Sequence, residues 1–356
     1  MVIVLTSNYN AGILQLAVQM KNELRKIYGK TILFVPDESN LKGDDIETYR
    51  RFNSLLPFDK RYEQISRRIE KHDPELIFVC DSNLITSRII LGLEKNIPVC
   101  MVEHDITAHP NYSSAIVSLK EKVKKPYILK AWKRANKIIL LSNHSYKGFK
   151  AAYPQYKDKA AIMRLGAHVP NATPEKPEEI VDETGYILFF GRIDKYKGLI
   201  NLLKAYSNIC SKTNRKLVIA GKGEITEEEE NIIKTIPSKI IFIHRYISDG
   251  EMIWLFQNAS CTVLPYIEAS QSGVLSMSYY FGKPVIVSNL EGLTEFVVPG
   301  GTGEIFENES DLSNKILDVC NRAERMKKGV KEYYIKNLEW LPNLKSVLND
   351  LIAVNR

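Results

Sequence analysis

The sequence has few cysteines and no long hydrophobic run. Its five cysteines are spread over 356 residues, and their spacing and odd number argue against a disulfide framework or a zinc motif. No apolar stretch approaches the roughly 20 residues of a membrane-spanning helix, and the apolar run at 2–6 is too short for a signal-peptide core. We therefore expect buried thiols in a reducing compartment, and a cytoplasmic protein whose contact with the cytoplasmic membrane face is at most peripheral.

The spaced glycines of a dinucleotide-binding fingerprint are also missing after the first predicted strand. Residues 6–12 read Thr-Ser-Asn-Tyr-Asn-Ala-Gly, with one glycine at the end. A dinucleotide fingerprint needs several glycines there, so that the backbone can turn tightly and approach a pyrophosphate. This absence disfavours a nicotinamide-dependent dehydrogenase.

Charge is unevenly distributed along a chain of ordinary globular composition. Apolar residues make up 44% of the sequence and charged residues 26%, which argues against disorder and against a membrane bundle. Residues 1–170 contain 27 basic and 17 acidic side chains, hence +10, whereas residues 171–356 contain 22 and 25, hence −3. At about 100 to 200 residues per domain, the length predicts two domains, one basic and one slightly acidic.

Short β-branched apolar runs alternate with stretches of helical periodicity along the chain, which is typical of βαβ units. We predict an α/β fold of two Rossmann-like, doubly wound parallel-sheet domains that face a cleft. We place the two domains at 1–170 and 171–340, and a last helix at 341–356. One option for this helix is to return to the first domain. Residues 169–180, with three prolines and four charges, are typical of an exposed linker. The predicted strands lie at 2–6, 31–35, 76–80, 98–103, 137–141, 161–165, 186–190, 217–220, 240–244, 261–264 and 284–288.

The most informative motif follows the predicted strand at 186–190. The strand ends at Gly191, and Arg192 and Lys197 lie five residues apart before the next helix. A guanidinium can grip one phosphate with its planar fork, and an ammonium can neutralise another. Solvated basic residues on a turn are the alternative, but ligands of open parallel sheets bind where strands end.

A second motif follows the predicted strand at 261–264. Glu268 is followed by small polar residues up to Ser272, and a helix is predicted to begin near Gly273 and Val274. Glycine lets a diphosphate approach the backbone, and the first amides of the helix donate to it. An ordinary serine N-cap is the alternative interpretation.

Four further short sequence segments occur along the chain in a defined order with these two motifs. They are 218–223 (Val-Ile-Ala-Gly-Lys-Gly), 264–265 (Leu-Pro), 282–286 (Gly-Lys-Pro-Val-Ile) and 291–295 (Glu-Gly-Leu-Thr-Glu). Together the pieces resemble glycosyltransferase family 4 over most of residues 186–306. Gly12 and His104-Asp105 extend the likeness more loosely into the first half. The resemblance implies the GT-B architecture, retaining transfer of a sugar from a nucleotide donor, and no metal or other cofactor.

The resemblance also implies roles for single residues. Arg192 and Lys197 would hold the donor diphosphate and stabilise the charge on the leaving nucleotide, which explains why no Asp-x-Asp metal motif occurs. Glu268 would touch the transferred sugar as the first carboxylate of a Glu-x7-Glu signature, and His104 would bind a sugar hydroxyl or the reacting region. Gly12 would let the first loop approach the diphosphate or the acceptor. The remaining donor-side positions are Tyr246 and Ile247 near the base, and Ser272, Gly273 and Val274 at the diphosphate.

One departure concerns the second carboxylate of the signature, which the family uses on the ribose. Counting eight residues from Glu268 reaches Ser276, whereas alignment on the glycine at 282 places Met277 opposite the second glutamate. Neither residue is acidic. We therefore expect the ribose to be bound in another way.

The stretch from Lys120 to Lys137 carries eight basic residues and a single glutamate, interleaved with apolar side chains. Pro126 fits the first turn of a new helix on which Ile128 and Trp132 share a face. A solvated helix with a core stripe is one interpretation. Docking on an anionic membrane surface, with Trp132 at the interface, is the other. Nucleic acid is not expected, because no nucleic-acid-binding module accompanies the charge.

The sequence therefore predicts a metal-independent hexosyltransferase. It would move a sugar from a nucleoside-diphosphate donor to a hydroxyl of a growing, lipid-linked glycan of the polysaccharide or lipopolysaccharide type. A nucleotide-sugar epimerase of the same fold remains an alternative. So does a non-catalytic protein that binds sugar nucleotides, because the second carboxylate is missing.

Overall fold

The chain divides into two compact units in a computed structural model that describes residues 1–9, 12–51, 60–104 and 115–352. The first unit contains Met1–Arg164 together with Trp340–Arg356, and the second contains Leu165–Glu339. The end of the chain is therefore part of the first unit, although it follows the second unit in sequence.

The first unit is built on a parallel sheet of seven strands. Its central strands are continuous apolar runs with no exposed face, as expected where helices cover both sides of a parallel sheet. The strands are β1 (Val2–Leu5), β2 (Thr31–Pro36), β3 (Ile46–Tyr49), β4 (Leu76–Val79), β5 (Val99–Glu103), β6 (Lys137–Leu140) and β7 (Ala160–Ile162). Their order across the sheet is β3-β2-β1-β4-β5-β6-β7.

Helices connect these strands. The third helix begins with a capping box, in which the Asn83 side chain accepts from the amide of Thr86 and the Thr86 side chain accepts from the amide of Asn83. The helices are α1 (Ile13–Tyr28), α2 (Arg61–Lys71), α3 (Leu84–Leu91), α4 (Ala115–Arg134) and α5 (Asn143–Ala152).

The second unit repeats this plan with a parallel sheet of six strands. The strands are β8 (Tyr186–Phe190), β9 (Leu217–Ala220), β10 (Ile240–Ile243), β11 (Ala259–Leu264), β12 (Val285–Ser288) and β13 (Gly303–Phe306), in the order β10-β9-β8-β11-β12-β13. Its helices are α6 (Leu199–Ser207), α7 (Glu227–Thr235), α8 (Asp249–Asn258), α9 (Gly273–Tyr280), α10 (Glu291–Thr294) and α11 (Glu309–Asn337).

The last helix, α12 (Trp340–Ile352), belongs to the first unit. Trp340, Leu344 and Leu348 are buried on one face at helical spacing, and α12 contacts α1. An ion pair between Lys137 and Asp350, at 2.9 Å, fastens the helix near the start of β6.

The prediction of two doubly wound parallel-sheet α/β domains is confirmed. Each of the eleven predicted strands has an observed counterpart, with ends displaced by three residues or fewer. Two edge strands, β3 and β13, were not predicted. β3 has one fully buried residue, Tyr49, and β13 begins with Gly303, whose Cβ would lie 2.2 Å from the carbonyl oxygen of Val285.

The segment predicted as an exposed linker packs against α8 of the second unit. The amide of Glu175 donates to the carbonyl of Gly250 at 3.0 Å. A Cβ at Gly250 would lie 2.6 Å from the carbonyl oxygen of Thr173, so the two backbones are in close contact. Pro177 and Ile180 are buried, whereas most of their neighbours are exposed.

The interpretation of Pro126 as the first turn of a new helix is wrong, because α4 continues through it. Ala131 and Trp132 are buried in the last turns of α4, and this packing outweighs the one hydrogen bond that Pro126 cannot make. Trp132 is only 4% exposed and packs edge-on against Tyr153, with 4.9 Å between ring centroids. It is a core residue, so its expected place at a membrane interface is also wrong.

Within the described residues, no helix has the length and apolar character needed to cross a membrane.

Candidate functional site

Each sheet reverses its direction of winding at one point, and ligands of open α/β sheets bind beyond the carboxyl ends of the strands at that point. In the second unit the reversal lies between β8 and β11. The loop at 191–198 follows β8, and the loop at 265–272 follows β11. These two loops contain four of the donor-side residues that the sequence singled out, and Gly273 and Val274 follow directly at the start of α9.

The two loops are joined through their backbones. The amide of Ile267 donates to the carbonyl of Tyr196 at 2.7 Å. Gly198 has φ +64°, and a Cβ on it would lie 2.0 Å from the carbonyl oxygen of Pro265. Only glycine combines this left-handed conformation with so close an approach, so Gly198 fixes the spacing of the two loops.

Lys197 lies at the centre of this arrangement. It is 7% exposed, and its ammonium group lies 5.4 Å from the centroid of the Tyr266 ring. None of the described residues provides a hydrogen-bond acceptor or a carboxylate partner for this ammonium. Burial, assisted by the charge of Arg192, lowers the pKa of Lys197. A buried cation that has no hydrogen-bond acceptor among the described residues is a site that an anionic ligand would complete.

Arg192 differs from Lys197 in its exposure. Its side chain is 73% exposed, and its Nε donates to the carboxylate of Asp194. The two cations predicted to hold the diphosphate therefore differ, because Lys197 is buried whereas Arg192 faces solvent and is paired with Asp194.

The start of α9 faces the same position. Ser272 caps the helix, since its Oγ accepts from the amide of Leu275 at 3.4 Å, and it lies 3.4 Å from the Tyr266 hydroxyl. A Cβ at Gly191 would lie 2.7 Å from Lys197 Nζ and 3.8 Å from Val274 Cγ2. The structure therefore brings Gly191, Lys197, Val274 and Ser272 together, and the amides at the start of α9 share their edge of the sheet with the buried ammonium.

The positions that replace the second carboxylate are not available to a ligand. Ser276 is 2% exposed and its hydroxyl donates to the carbonyl of Leu165 at 2.5 Å, while Met277 is 5% exposed in the core. Glu268 lies half-buried in the loop after β11.

The segment after β10 contains both positions that the resemblance places near the base. Tyr246 is 70% exposed, whereas Ile247 is buried. Arg245, between β10 and these residues, bonds to the carboxylates of Glu179 and Glu251 with distances of 2.6 to 2.9 Å. Arg245 therefore links residues 173–180 and α8 to the segment after β10. Tyr246, next to it, is exposed.

The ion pair between Arg245 and Glu251 should make part of the free energy of folding dependent on pH under acidic conditions. Hydrogen bonds from Arg245 lower the pKa of Glu251 from 4.5 to about 2. The stabilisation is therefore complete above the unfolded-state pKa and is lost as the pH falls through about 2. We expect Glu251→Gln to lower the free energy of unfolding by about 2 kcal/mol at pH 7.

The difference in the free energy of unfolding between wild type and Glu251→Gln should shrink steadily as the pH falls below 4.5. Urea denaturation at several pH values measures this difference. Asp182→Asn, an exposed acidic residue in the nearby segment, is the control and should show no such trend. A gap that stays constant down to pH 3 would argue against the ion pair as its source.

In the first unit the winding reverses between β1 and β4. Gly12 lies exposed with φ +88° at the start of α1, and no atom of the described residues lies within 4 Å of the place where its Cβ would be. His104 follows β5, and its Nε2 lies 2.8 Å from the carbonyl oxygen of Cys80. A carbonyl only accepts, so Nε2 carries a proton there. Asp105, the partner of His104 in the resemblance, lies outside the described residues.

Sequence reasoning missed Asp81, which organises this edge of the first sheet. It is 3% exposed and accepts from the amide and hydroxyl of Ser7 and from the side-chain amides of Asn8 and Asn83, at 2.5 to 3.3 Å. Burial raises the pKa of Asp81 despite these bonds. A signal was present, because Asp81 lies at the carboxyl end of a strand next to β1.

Within the described ranges, no group of three or more histidine, cysteine or acidic side chains is placed to hold a metal ion. In the loop after β8, Lys197 provides a buried positive charge and Arg192 an exposed one.

Residues 172–334 match the family described as Glycosyl transferases group 1. A curated relative, an uncharacterized glycosyltransferase of Methanocaldococcus jannaschii, is 29% identical over 33% of this chain and 30% of its own length. A second, 22% identical over 88% of this chain and 87% of its own, is a Campylobacter jejuni enzyme named GalNAc-alpha-(1->4)-GalNAc-alpha-(1->3)-diNAcBac-PP-undecaprenol alpha-1,4-N-acetyl-D-galactosaminyltransferase. The chain spans less than two thirds of the first curated relatives that it matches.

Solved structures share the fold over the full length of the chain. A glycosyltransferase from Rickettsia africae superposes with a TM-score of 0.72 at 18% identity, covering 100% of this chain and 98% of that one. The Anabaena protein HepE, in complex with UDP, gives 0.69 at 13% identity, covering 99% of each chain. The chain therefore has the GT-B fold, and most of its second unit matches the family model described as Glycosyl transferases group 1.

Proposed function

We propose that this protein is a retaining, metal-independent glycosyltransferase. It moves a sugar from a nucleoside-diphosphate donor to a hydroxyl of a growing, lipid-linked glycan of the polysaccharide or lipopolysaccharide type. The observation that carries the proposal is the buried ammonium of Lys197, which no described residue pairs by a hydrogen bond or a carboxylate. It lies at the winding reversal of the unit that matches the Glycosyl transferases group 1 family model. The site of action is cytoplasmic.

Lys197 provides the positive charge that the departing diphosphate needs. As the bond between sugar and diphosphate breaks, negative charge develops on the leaving oxygen. A fixed ammonium stabilises that charge without rearrangement, and its low exposure strengthens the interaction. The amides at the start of α9 donate to the same diphosphate, and Arg192 swings in from solvent to a second phosphate oxygen. These groups do the work that a divalent cation would otherwise do.

The remaining residues act around this diphosphate. Glu268 binds the transferred sugar, and the exposed ring of Tyr246, beside Ile247, provides a face for the base. The ribose is recognised by groups other than the missing second carboxylate, because Ser276 and Met277 are directed into the unit's interior. In the first unit, His104 binds a sugar hydroxyl and Gly12 leaves room at its loop.

The acceptor is proposed to be carried on lipid, as the printed name of the Campylobacter jejuni relative indicates for that enzyme. An anionic membrane surface would then be met by the exposed cations of α4, Lys125, Lys130 and Lys133. Each contributes about 1 kcal/mol near such a surface. Arg134 and Lys137 are occupied by internal partners, and the side chains of Lys120 and Lys122 lie outside the described residues.

The proposal is tested by product analysis with a panel of nucleoside-diphosphate sugars and alkyl glycosides, in the presence of EDTA. We expect nucleoside diphosphate to be released only when an acceptor is present, and NMR to show that the new glycosidic bond keeps the anomeric configuration of the donor.

Phosphatidylglycerol vesicles should retain the protein more than phosphatidylcholine vesicles do.

Other outcomes contradict the proposal in identifiable ways. Isomerised donor without acceptor would indicate an epimerase. A thermal shift with donor, but no transfer and no hydrolysis, would indicate a non-catalytic binding protein. A product of inverted configuration, or activity that EDTA abolishes, would contradict the retaining or the metal-independent part.

A further inference from the structure

Two of the five cysteines lie next to each other in the second unit, although they are far apart in sequence. The Sγ atoms of Cys261, on β11, and Cys320, on α11, are 3.8 Å apart. Cys261 is fully buried and Cys320 is 5% exposed. Both are free thiols, and the pair holds α11 against the strand that leads into the loop at 265–272.

Cys320 lines a cavity of about 330 Å³ at the amino ends of β8, β11 and β12. This is the opposite edge of the sheet from Lys197. Arg215 and Lys283 line the same cavity, and Arg215 Nη2 lies 3.4 Å from the carbonyl oxygen of Cys320. The cavity is therefore bordered by Cys320 and by the Arg215 guanidinium, and the sulfur of the fully buried Cys261 lies 3.8 Å from that of Cys320.

The surroundings give the two sulfurs different roles. The hydrogen bond between the two thiols, in which either sulfur can donate, lowers the pKa of Cys320 together with the charge of Arg215. The same hydrogen bond and burial raise the pKa of Cys261. Cys320 borders the cavity, whereas Cys261 is fully buried, so an oxidant in the cavity reaches Cys320 first. The thiolate is the nucleophilic form of cysteine, so Cys320 is the residue that reacts and Cys261 is the one that follows.

The other cysteines lack this combination. Burial raises the pKa of Cys100 to about 12 and that of Cys80 well above its usual value. Cys210 is half-exposed, and its thiol donates to the carbonyl of Ser207 at 3.3 Å.

We propose that Cys320 and Cys261 form a peroxide-sensitive thiol pair, with Cys320 as the attacking and Cys261 as the resolving residue. The Cys320 thiolate attacks one oxygen of hydrogen peroxide, the O–O bond breaks, hydroxide leaves, and a sulfenic acid forms. The Cys261 sulfur then attacks the sulfenic sulfur, and water leaves with the Cys261 proton. Two thiols are oxidised to one disulfide, and one peroxide is reduced to two waters.

The cross-link would tie β11 to α11 behind the donor loops. The sulfurs must approach from 3.8 Å to disulfide length, about 2 Å. Thiol reducing agents reverse the reaction, because the product is an ordinary disulfide.

The test uses the full-length reduced protein, a few equivalents of hydrogen peroxide, and peptide mapping by mass spectrometry without reduction. We expect a peptide pair linked through Cys261 and Cys320 that dithiothreitol separates. In Cys261→Ala, dimedone should label Cys320 as a trapped sulfenic acid. In Cys320→Ala, Cys261 should stay unlabelled. Cys210→Ala is the matched control and should form the linked pair as wild type does.

The proposal is overturned if wild type yields no linked pair at a peroxide dose that labels Cys210. It is also overturned if Cys80 or Cys100 becomes labelled before Cys320, or if dimedone labels Cys261 in Cys320→Ala as strongly as Cys320 in Cys261→Ala. The wild-type map decides the cross-link even if a variant folds poorly. Sugar-transfer activity is not part of any of these measurements.

Discussion

Lys197→Met should lower kcat/KM for the sugar donor by about 100- to 1,000-fold, the usual cost of removing one fixed group that stabilises developing negative charge. Methionine preserves much of the apolar stem packed in this buried position and removes the ammonium beside Tyr266. The fold should survive, because the variant no longer buries a charge with no ionic partner. Donor turnover and thermal unfolding, measured on the same preparation, check both expectations.

Lys195→Met is the matched control for this change. Lys195 lies two residues earlier on the same turn, has the same charge, and is exposed. We expect its kcat/KM to stay within about twofold of wild type, because an exposed charge is screened by water and salt. Equal losses in the two variants would show that the general charge of the loop, and not the buried ammonium, supports turnover.

The second large effect is expected at Gly198→Ala. The added Cβ would lie 2.0 Å from the carbonyl oxygen of Pro265, and φ at this residue is +64°. The two donor loops must therefore separate or the backbone must rearrange. We expect a loss of about 2 to 4 kcal/mol in the free energy of unfolding, together with loss of nucleotide binding. Urea denaturation and a binding titration measure the two effects.

Gly29→Ala separates the conformational cost from the clash. Gly29 has φ +75°, but in the part of the chain that the structure describes no atom lies within 4 Å of the position of its Cβ. Gly29→Ala should lower the free energy of unfolding by about 1 kcal/mol, which is the cost of placing a residue with a Cβ in the left-handed conformation. If Gly198→Ala is no more destabilising than Gly29→Ala, then the loops are not held at the spacing that the structure shows.

The strands of both sheet centres could be predicted from the sequence because they are continuous apolar runs covered on both faces. β8 (Tyr186–Phe190) and β9 (Leu217–Ala220) were predicted to the residue. Edge strands such as β3 and β13 are short and carry polar residues or glycine, so their pattern does not stand out from a loop. The error at Pro126 has a related cause, because local propensity favoured a helix start and tertiary packing overrode it.

The candidate site was partly predictable for the same reason. Lys197 and Ser272 follow strand ends, and any parallel sheet brings neighbouring strand ends together. Burial could not be predicted, and it separates Lys197 from Arg192, which the sequence treated alike. The cluster around Asp81, and the pairing of Cys261 with Cys320, depend on side-chain contacts between distant segments that no local pattern encodes.

The central claim is that the second unit binds a nucleoside diphosphate through Lys197 without a metal ion. The most direct measurement is a calorimetric titration of the full chain with UDP, GDP and ADP in the presence of EDTA. We expect at least one of these nucleotides to bind saturably to wild type and to Lys195→Met. Its affinity for Lys197→Met should be at least about tenfold lower, which corresponds to a loss of about 1.4 kcal/mol in binding free energy. Binding of equal strength to wild type and Lys197→Met, or binding that appears only when a divalent cation is added, would contradict the claim.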